Sequence, residues 1–207
     1  MNTEITRLEA TQIDKATETL TNAFSKDPLL QYILPEENSK KAKISRQLSE
    51  VNLRYAQPLK HIYTIPEIKG IAAWIPPEQY PLNFLKLLQV GFYKIPLQLG
   101  FTKVGKLLSL FSSFEKYHKQ DMHQPHWYLL ALGVSSAYQG QGIGSLLIQP
   151  ILKKADEHNL PCYLETSTEK AVRFYQKNGF KILRTEEKPV QFWTMKREAI
   201  GERGKSG

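Results

Sequence analysis

The chain has 207 residues, 41% hydrophobic, 23% charged and 11% aromatic, a globular composition long enough for one domain with a sizeable core. Its formal net charge is +8, which suits nucleic acid, an anionic cofactor or a membrane surface, but the basic residues are scattered apart from "SKKAKISR" at 39–46, so a solvated surface is the plainer reading. No apolar run reaches the roughly 18–20 residues of a membrane span. The start "MNTEITRLEA" lacks a signal-peptide core, and the lone Cys162 excludes an internal disulfide. A cytoplasmic protein with no membrane or nucleic-acid partner is expected.

"ITRLEA" (5–10) reads as a short first strand. The segment 11–27 carries Ile13, Ala16, Leu20, Ala23 and Phe24 at helical spacing, with Thr11 or Asp14 as the expected cap. Pro28 and Pro35 punctuate the next segment. A second helix is predicted over 38–58, with Ile44, Leu48, Val51 and Tyr55 on one side. "HIYTIP" (61–66) and "GIAAWIPP" (70–77) read as two strands joined by a tight turn. From Pro81 to Tyr117 the pattern is helical and unusually apolar, broken by Pro96 and Gly100. Core packing is the plainer reading of that stretch, and a lid or a dimer face the sharper one.

"HWYLLALGV" (126–134) is nearly all apolar, as in a strand covered on both faces. A helix is predicted over 144–159, kinked or broken by Pro150. "PCYLET" (161–166) reads as a strand and 168–179 as a helix stopped at Gly179. Thr166 with Glu169 spells a capping box for that helix, with Thr168 as a rival cap. "FKILRTEE" and "VQFWTMKR" form a closing strand pair around Pro189, and the last residues read as a disordered tail.

Between the covered strand and its helix lies "AYQGQGIGSLL", with Gly140, Gly142 and Gly144 in five residues. A strand, a glycine turn and a helix start make an anion site, because first-turn N–H groups point outward unpaired and the helix dipole favours negative charge. Glycine lets the backbone approach a phosphate without an intervening Cβ. A phosphate-binding P-loop needs a lysine that is missing here. A dinucleotide fingerprint fits the spacing poorly, although Glu165 lies about twenty residues on, where a ribose-binding acid is expected. A tight turn that binds nothing is the plain alternative.

"VSSAYQGQGIGSLL" resembles the GNAT superfamily of N-acetyltransferases, whose first signature is Gln/Arg-x-x-Gly-x-Gly/Ala; Gln139, Gly142 and Gly144 fit it. "AVRFYQKNGF" at 171–180 resembles the second signature, a helix reading A-x-x-F-Y-x-K-x-G-F. "HWYLLALGV", "LETS" at 164–167 and "AAWIPPE" at 72–78 are closest to puromycin N-acetyltransferase-like members. The likeness is strong over 126–180 and partial around 70–78. It implies an α/β GNAT fold: a central mixed, mostly antiparallel sheet of six to seven strands, helices on both faces, and strands splayed at the glycine-loop helix. Residues 1–200 then form a single acetyltransferase domain with a helical insertion at about 80–118, and 201–207 a disordered tail.

The resemblance implies acetyl-CoA as cosubstrate, no metal, and as acceptor a small-molecule amine, with a protein amine as the alternative, in a monomer or homodimer. The backbone of 139–145 (Gln139, Gly140, Gln141, Gly142, Ile143, Gly144 and Ser145) would bind the pyrophosphate, and Val134 the pantetheine arm. Thr168 stands where many members place a cofactor-contacting Asn, a departure from the pattern. Tyr175 matches the superfamily tyrosine that protonates the departing thiolate, as a phenol can; a core tyrosine is its plain reading. Glu165 is the candidate base, grouped by strand alternation with Tyr163 and opposite Cys162 and Leu164. A cap or salt-bridge role is its alternative. His126 is a second candidate base, because Tyr128, Leu130 and Val134 are expected on its strand face, though a surface role suits it better. His118 and His123 read as loop residues, and Cys162 as a buried, inert thiol. Tyr80, Phe84, Phe92 and Tyr93 are expected to wall an acceptor pocket. A non-catalytic CoA-binding module and a nucleic-acid-associated protein are the competing classes.

Overall fold

The central strands of a seven-stranded sheet alternate their side chains between two apolar clusters, so both faces of its middle are covered. The computed structural model describes residues 4–201, and its strands are β1 (Thr6–Arg7), β2 (Ile62–Thr64), β3 (Gly70–Ile75), β4 (Trp127–Val134), β5 (Cys162–Thr166), β6 (Lys181–Glu186) and β7 (Phe192–Arg197). Their order across the sheet is β1-β2-β3-β4-β5-β7-β6, and only β4 and β5 run parallel. This is the mixed, mostly antiparallel sheet expected from the sequence. In β3, Ala72 and Trp74 enter one cluster while Ile71, Ala73 and Ile75 enter the other.

Two helices, α7 (Ile143–Glu157) and α8 (Glu169–Lys177), cover the Trp74 face. The opposite face is covered by α1 (Ile13–Ala23) and α3 (Asn38–Ala56). A third cluster joins α3 to α2 (Pro28–Ile33), α5 (Lys94–Gln98) and α6 (Phe101–Asp121), with α4 (Phe84–Gln89) alongside. α3 buries Ile44, Val51 and Tyr55 as its spacing demands.

Several local expectations give way. The opening strand is two residues long. A 3-10 turn, Ala10–Gln12, precedes α1, and Gln12 Oε1 accepts from the Glu9 N–H (2.9 Å), so neither Thr11 nor Asp14 caps the helix. The punctuation at Pro28 is the start of a helix, capped by Asp27, which accepts from Leu29 N (2.9 Å) and Leu30 N (3.2 Å). Pro96 breaks nothing, because it sits in the first turn of α5, where its missing N–H has no partner to lose. The breaks fall around Gly91, in the left-handed region at φ +100, and at Gly100. α7 runs unbroken through Pro150. Thr168 caps α8, its Oγ1 accepting from Ala171 N (3.2 Å), in place of the Thr166–Glu169 box. Gly179 ends that turn at φ +87 as expected. Gly201 has no regular structure, and the rest of the expected tail lies outside the described residues.

The feature that shapes the site is a bulge in β4. Ala73 faces Ala131 but the next residue, Trp74, faces Leu129, leaving Leu130 extra. An added residue flips the alternation and bends the strand. Before it Trp127 and Leu129 face the α7 side; after it Leu132 and Val134 do. The pairing of β4 with β5 stops at Tyr128↔Tyr163, although β4 continues to Val134 and β5 to Thr166. The two strands therefore diverge towards their C-terminal ends, directly below the glycine turn.

Candidate active site

The three glycines have two different jobs. Gly140 and Gly142 both sit at φ +81, a backbone state that costs an L-residue roughly 1–2 kcal/mol. Gly142 is the N-cap of α7 and has no side chain to close the helix end. The first-turn N–H groups of Ile143, Gly144 and Ser145 then have no intrahelical partner and point out of the helix. A Cβ on Gly142 would meet nothing within 4 Å, so the space over the helix end is open. Gly144 instead permits packing: a Cβ there would come within 3.2 Å of the Phe174 ring. Asn178 Nδ2 also donates to Ser145 Oγ (3.3 Å), tying α8 to the first turn of α7. This open, uncapped end fits an anionic diphosphate.

Gln139 is engaged with its own loop. Its Nε2 donates to the Val134 carbonyl (3.1 Å) and its Oε1 accepts from Lys170 Nζ (2.9 Å). Gln141 is exposed, and Ile143 is buried so that only its backbone is offered. Lys170 on α8 and Lys69, whose ammonium lies over the Tyr138 ring, flank the turn. Periodicity did not single them out, since one lysine among many carries no signal until the fold places it.

Ser135 N donates to Lys69 O on the β3 side (2.9 Å), so alternation turns the N–H of Val134 away from β3 and into the gap where β5 has departed. An extended amide-bearing chain of pantetheine type fits that unpaired edge.

On the other face of β4 lies a buried polar cluster. Glu165 and Tyr163 face it, while Cys162 and Leu164 enter the apolar core, as strand alternation requires. The Glu165 side chain is 6% exposed, and Oε1 has no hydrogen-bond partner. Burial pushes its carboxyl up to about 8, against the opposing pull of the Tyr128 hydroxyl. His118 Nδ1 is 3.6 Å from that oxygen. His118 Nε2 is 2.7 Å from His126 Nε2, and His126 Nδ1 is 2.7 Å from the Gln124 carbonyl.

These distances assign the protons. A carbonyl only accepts, so His126 Nδ1 carries hydrogen and its Nε2 is bare. His118 Nε2 must then donate, which leaves Nδ1 of neutral His118 as a lone pair facing Glu165. Burial favours that neutral form and holds His118 down to about 2 and His126 below its ordinary value. Tyr80 stacks on His118 at 3.8 Å, and Tyr163 lies against it at 4.1 Å. Asp121 anchors the far side, accepting from Thr194 Oγ1 (2.8 Å), Tyr163 OH (3.3 Å) and Arg184 Nε (2.6 Å).

Both histidines are corrections to the sequence reading. His118 is on α6 and 2% exposed, and His126 is 4% exposed, so neither is a loop or surface residue. The helix runs one turn further than the pattern ending at Tyr117, and that turn packs on β4 and β5. The bulge also puts Val134 on the face opposite Tyr128 and Leu130. His123 is exposed between α6 and β4, as expected. Cys162 is fully buried with its thiol pushed up to about 12, an inert group. The expected aromatic wall does not form as one surface: Tyr80 faces the cluster, Phe92 packs on Phe111, and Phe84 and Tyr93 are exposed.

Tyr175 is buried on α8 among Phe174 and Phe180. Burial alone raises its hydroxyl above the ordinary range, with no hydrogen bond contributing. Among the described residues there is no group of three or more potential metal-ligating side chains. No described helix is long and apolar enough to cross a membrane.

Residues 96–180 match the Acetyltransferase (GNAT) family. An uncharacterised N-acetyltransferase of Schizosaccharomyces pombe is 28% identical over 180 residues, covering 84% of this chain and 72% of that protein. N-alpha-acetyltransferase 50 of Danio rerio is 31% identical over 128 residues, covering 59% of this chain and 72% of that protein. Among solved structures, a Corynebacterium glutamicum protein described as histone acetyltransferase HPA2 and related acetyltransferase superposes with TM-score 0.64 at 22% identity, covering 97% and 98% of the two chains. A polyamine N-acetyltransferase of Drosophila melanogaster (TM-score 0.62, 14% identity, 95% and 100%) and arylalkylamine N-acetyltransferase 2 of Aedes aegypti (0.64, 14%, 96% and 99%) share the fold.

Proposed function

The chain belongs to the acetyltransferase (GNAT) family, and from that premise we propose that it moves an acetyl group from acetyl-CoA directly onto a primary amine of a small molecule. The observation that carries this reading is the placing of an uncapped helix end, a strand gap and a buried carboxyl on the same two strands, β4 and β5. Residues 1–200 are read as one domain with 80–118 as its helical insertion.

The backbone N–H groups of 142–145 hold the diphosphate, with Lys170 and Lys69 as flanking charges and Thr168 at the adjoining helix end. Bound acetyl-CoA supplies a thioester carbonyl as the electrophile. The Val134 N–H, aimed into the gap, donates to that carbonyl oxygen as negative charge grows on it. Glu165 in its ionised form takes the proton that the amine must lose. Tyr175 gives its phenolic proton to the leaving sulfur, whose thiol holds a proton below a pKa of ~8.5. His118 faces Glu165 with a bare nitrogen, which favours the protonated carboxyl and opposes its ionisation.

A small acceptor is favoured by the motif likeness to puromycin N-acetyltransferase-like enzymes, which suggests an antibiotic-type amine, and by the polyamine and arylalkylamine enzymes that share the fold. A protein amine is the second reading, motivated by the N-alpha-acetyltransferase relative. A thiol-release panel of agmatine, spermidine, an arylethylamine and a peptide N-terminus separates them. Turnover of the peptide alone would overturn the small-molecule reading.

Acetyl-CoA is expected to give saturable heat in calorimetry where NAD and ATP give none. Gly142→Trp is expected to abolish that heat, because an indole would fill the open space over the helix end. Persistent binding by this variant would place the diphosphate elsewhere.

A further inference from the structure

Seven of the eleven exposed large apolar residues among the described residues lie between 84 and 111, in the helical insertion rather than on the acetyltransferase sheet. Phe101 is 100% exposed and Leu97 80%, and they flank the corner where α5 gives way to α6. Leu108, two turns on from Phe101, shares its side of α6 and is exposed as well. Phe111 comes next, and its ring contact with Phe92 (5.5 Å) brings the exposed Tyr93 to the same border. The inward sides of these helices already have a core, since Ile95, Leu99, Leu107 and Leu110 are buried against α2 and α3. The outward residues are therefore a second apolar face that the fold does not use.

Charge identifies what would cover it. From Gln79 to Phe114 the sequence holds Lys86, Lys94, Lys103 and Lys106 and no aspartate or glutamate. Lys103 and Lys106 turn inward onto Tyr32, whereas Lys86 and Lys94 are exposed and Lys94 lies beside the Tyr93 ring (5.8 Å). The acid that shares the Leu108–Phe111 side of α6, Glu115, is paired with Lys119, and protruding leucine and aromatic side chains bordered by unpaired lysines are what an interfacial helix presents to acyl chains and anionic headgroups. A second copy of the same face would bring lysine against lysine, so the charge opposes self-association there. We propose that the α5–α6 corner docks this protein on an anionic lipid surface, with Leu97 and Phe101 entering the headgroup region. It would lie on a bilayer without spanning it, and this replaces the expectation of no membrane partner, which rested on the absence of a spanning run. The inference is independent of the catalytic reading.

The test is co-sedimentation of the full chain with phosphatidylcholine vesicles, with and without phosphatidylglycerol. Binding is expected to the anionic vesicles only, and to fall steeply towards about 1 M salt, where the screening length is ~3 Å. Leu97→Glu with Phe101→Glu is expected to lower the bound fraction by roughly tenfold or more while thermal melting is unchanged. Lys86→Glu with Lys94→Glu tests the charge without touching the apolar corner and is expected to weaken binding similarly. No binding to anionic vesicles would overturn the proposal, as would equal binding to neutral ones. A concentration-dependent dimer in light scattering that Leu97→Glu with Phe101→Glu dissociates would assign the face to a second copy instead.

Discussion

Glu165→Gln is expected to lower kcat by roughly 10²–10³-fold, the span of a lost general base, while leaving acetyl-CoA affinity unchanged. The pH profile carries the stronger test. Wild-type turnover should rise with pH through about 8, where the buried carboxyl ionises, and Glu165→Gln should lose that limb. Stability should move the other way. The native carboxyl keeps its proton up to about 8, whereas an unfolded one loses it near its ordinary 4.5. Between those values the native state binds more protons, so this group's contribution is full below 4.5 and is lost as pH rises through 8. A shift of this size corresponds to on the order of 5 kcal/mol. Glu165→Gln is therefore expected to match wild type near pH 5 and to exceed it near pH 9. Buried His118 and His126 and half-buried His61 act oppositely, since all are held neutral and their contributions fade as pH falls below 6.5. Both proteins carry them, so the difference between the melting curves isolates Glu165. A matching pH profile for rate alongside the expected stability difference would leave Glu165 a structural carboxyl.

Tyr175→Phe separates a catalytic tyrosine from a core one. The ring packs against Phe174 and Phe180, and the hydroxyl draws on no hydrogen bond. Removing one oxygen should leave the packing intact and the stability within ~1 kcal/mol. Under the proposed mechanism kcat should fall roughly 10²-fold, with acetyl-CoA affinity unchanged, because the lost proton donor acts only as the sulfur departs. A variant that melts like wild type and turns over like wild type would return Tyr175 to the core and leave the departing sulfur to another proton donor. A variant with poor affinity would show that the residue shapes the cosubstrate site instead.

Local sequence decided a great deal of this architecture. The glycine turn, its covered strand and the helix behind it are contiguous, so their chemistry is written in one stretch. Gly140 and Gly142 require left-handed φ, and their lack of side chains announces an open helix end before any fold is known. The α8 signature, the alternation that groups Glu165 with Tyr163, and the inert surroundings of Cys162 arise from periods of 3.6 and 2 that need no distant partner.

Only the tertiary structure decided the properties that arise between segments. The extra residue at Leu130 is invisible as a pattern, because every neighbour is apolar and either register buries something; only pairing with β3 reveals it, and it reverses the face on which Val134 lies. His118 acquires its role from a last helical turn that packing, not propensity, extends to Asp121. Its neutral form and its bare nitrogen are set by His126, Gln124 and Glu165, held on separate elements at distances that fix each proton. Burial then moves Glu165 into the range where a base works near neutral pH, and burial belongs to the fold as a whole. Conversely, the apolar stretch of 80–118 read as core from its composition, and the fold spends only one side of it there, leaving Leu97 and Phe101 facing out.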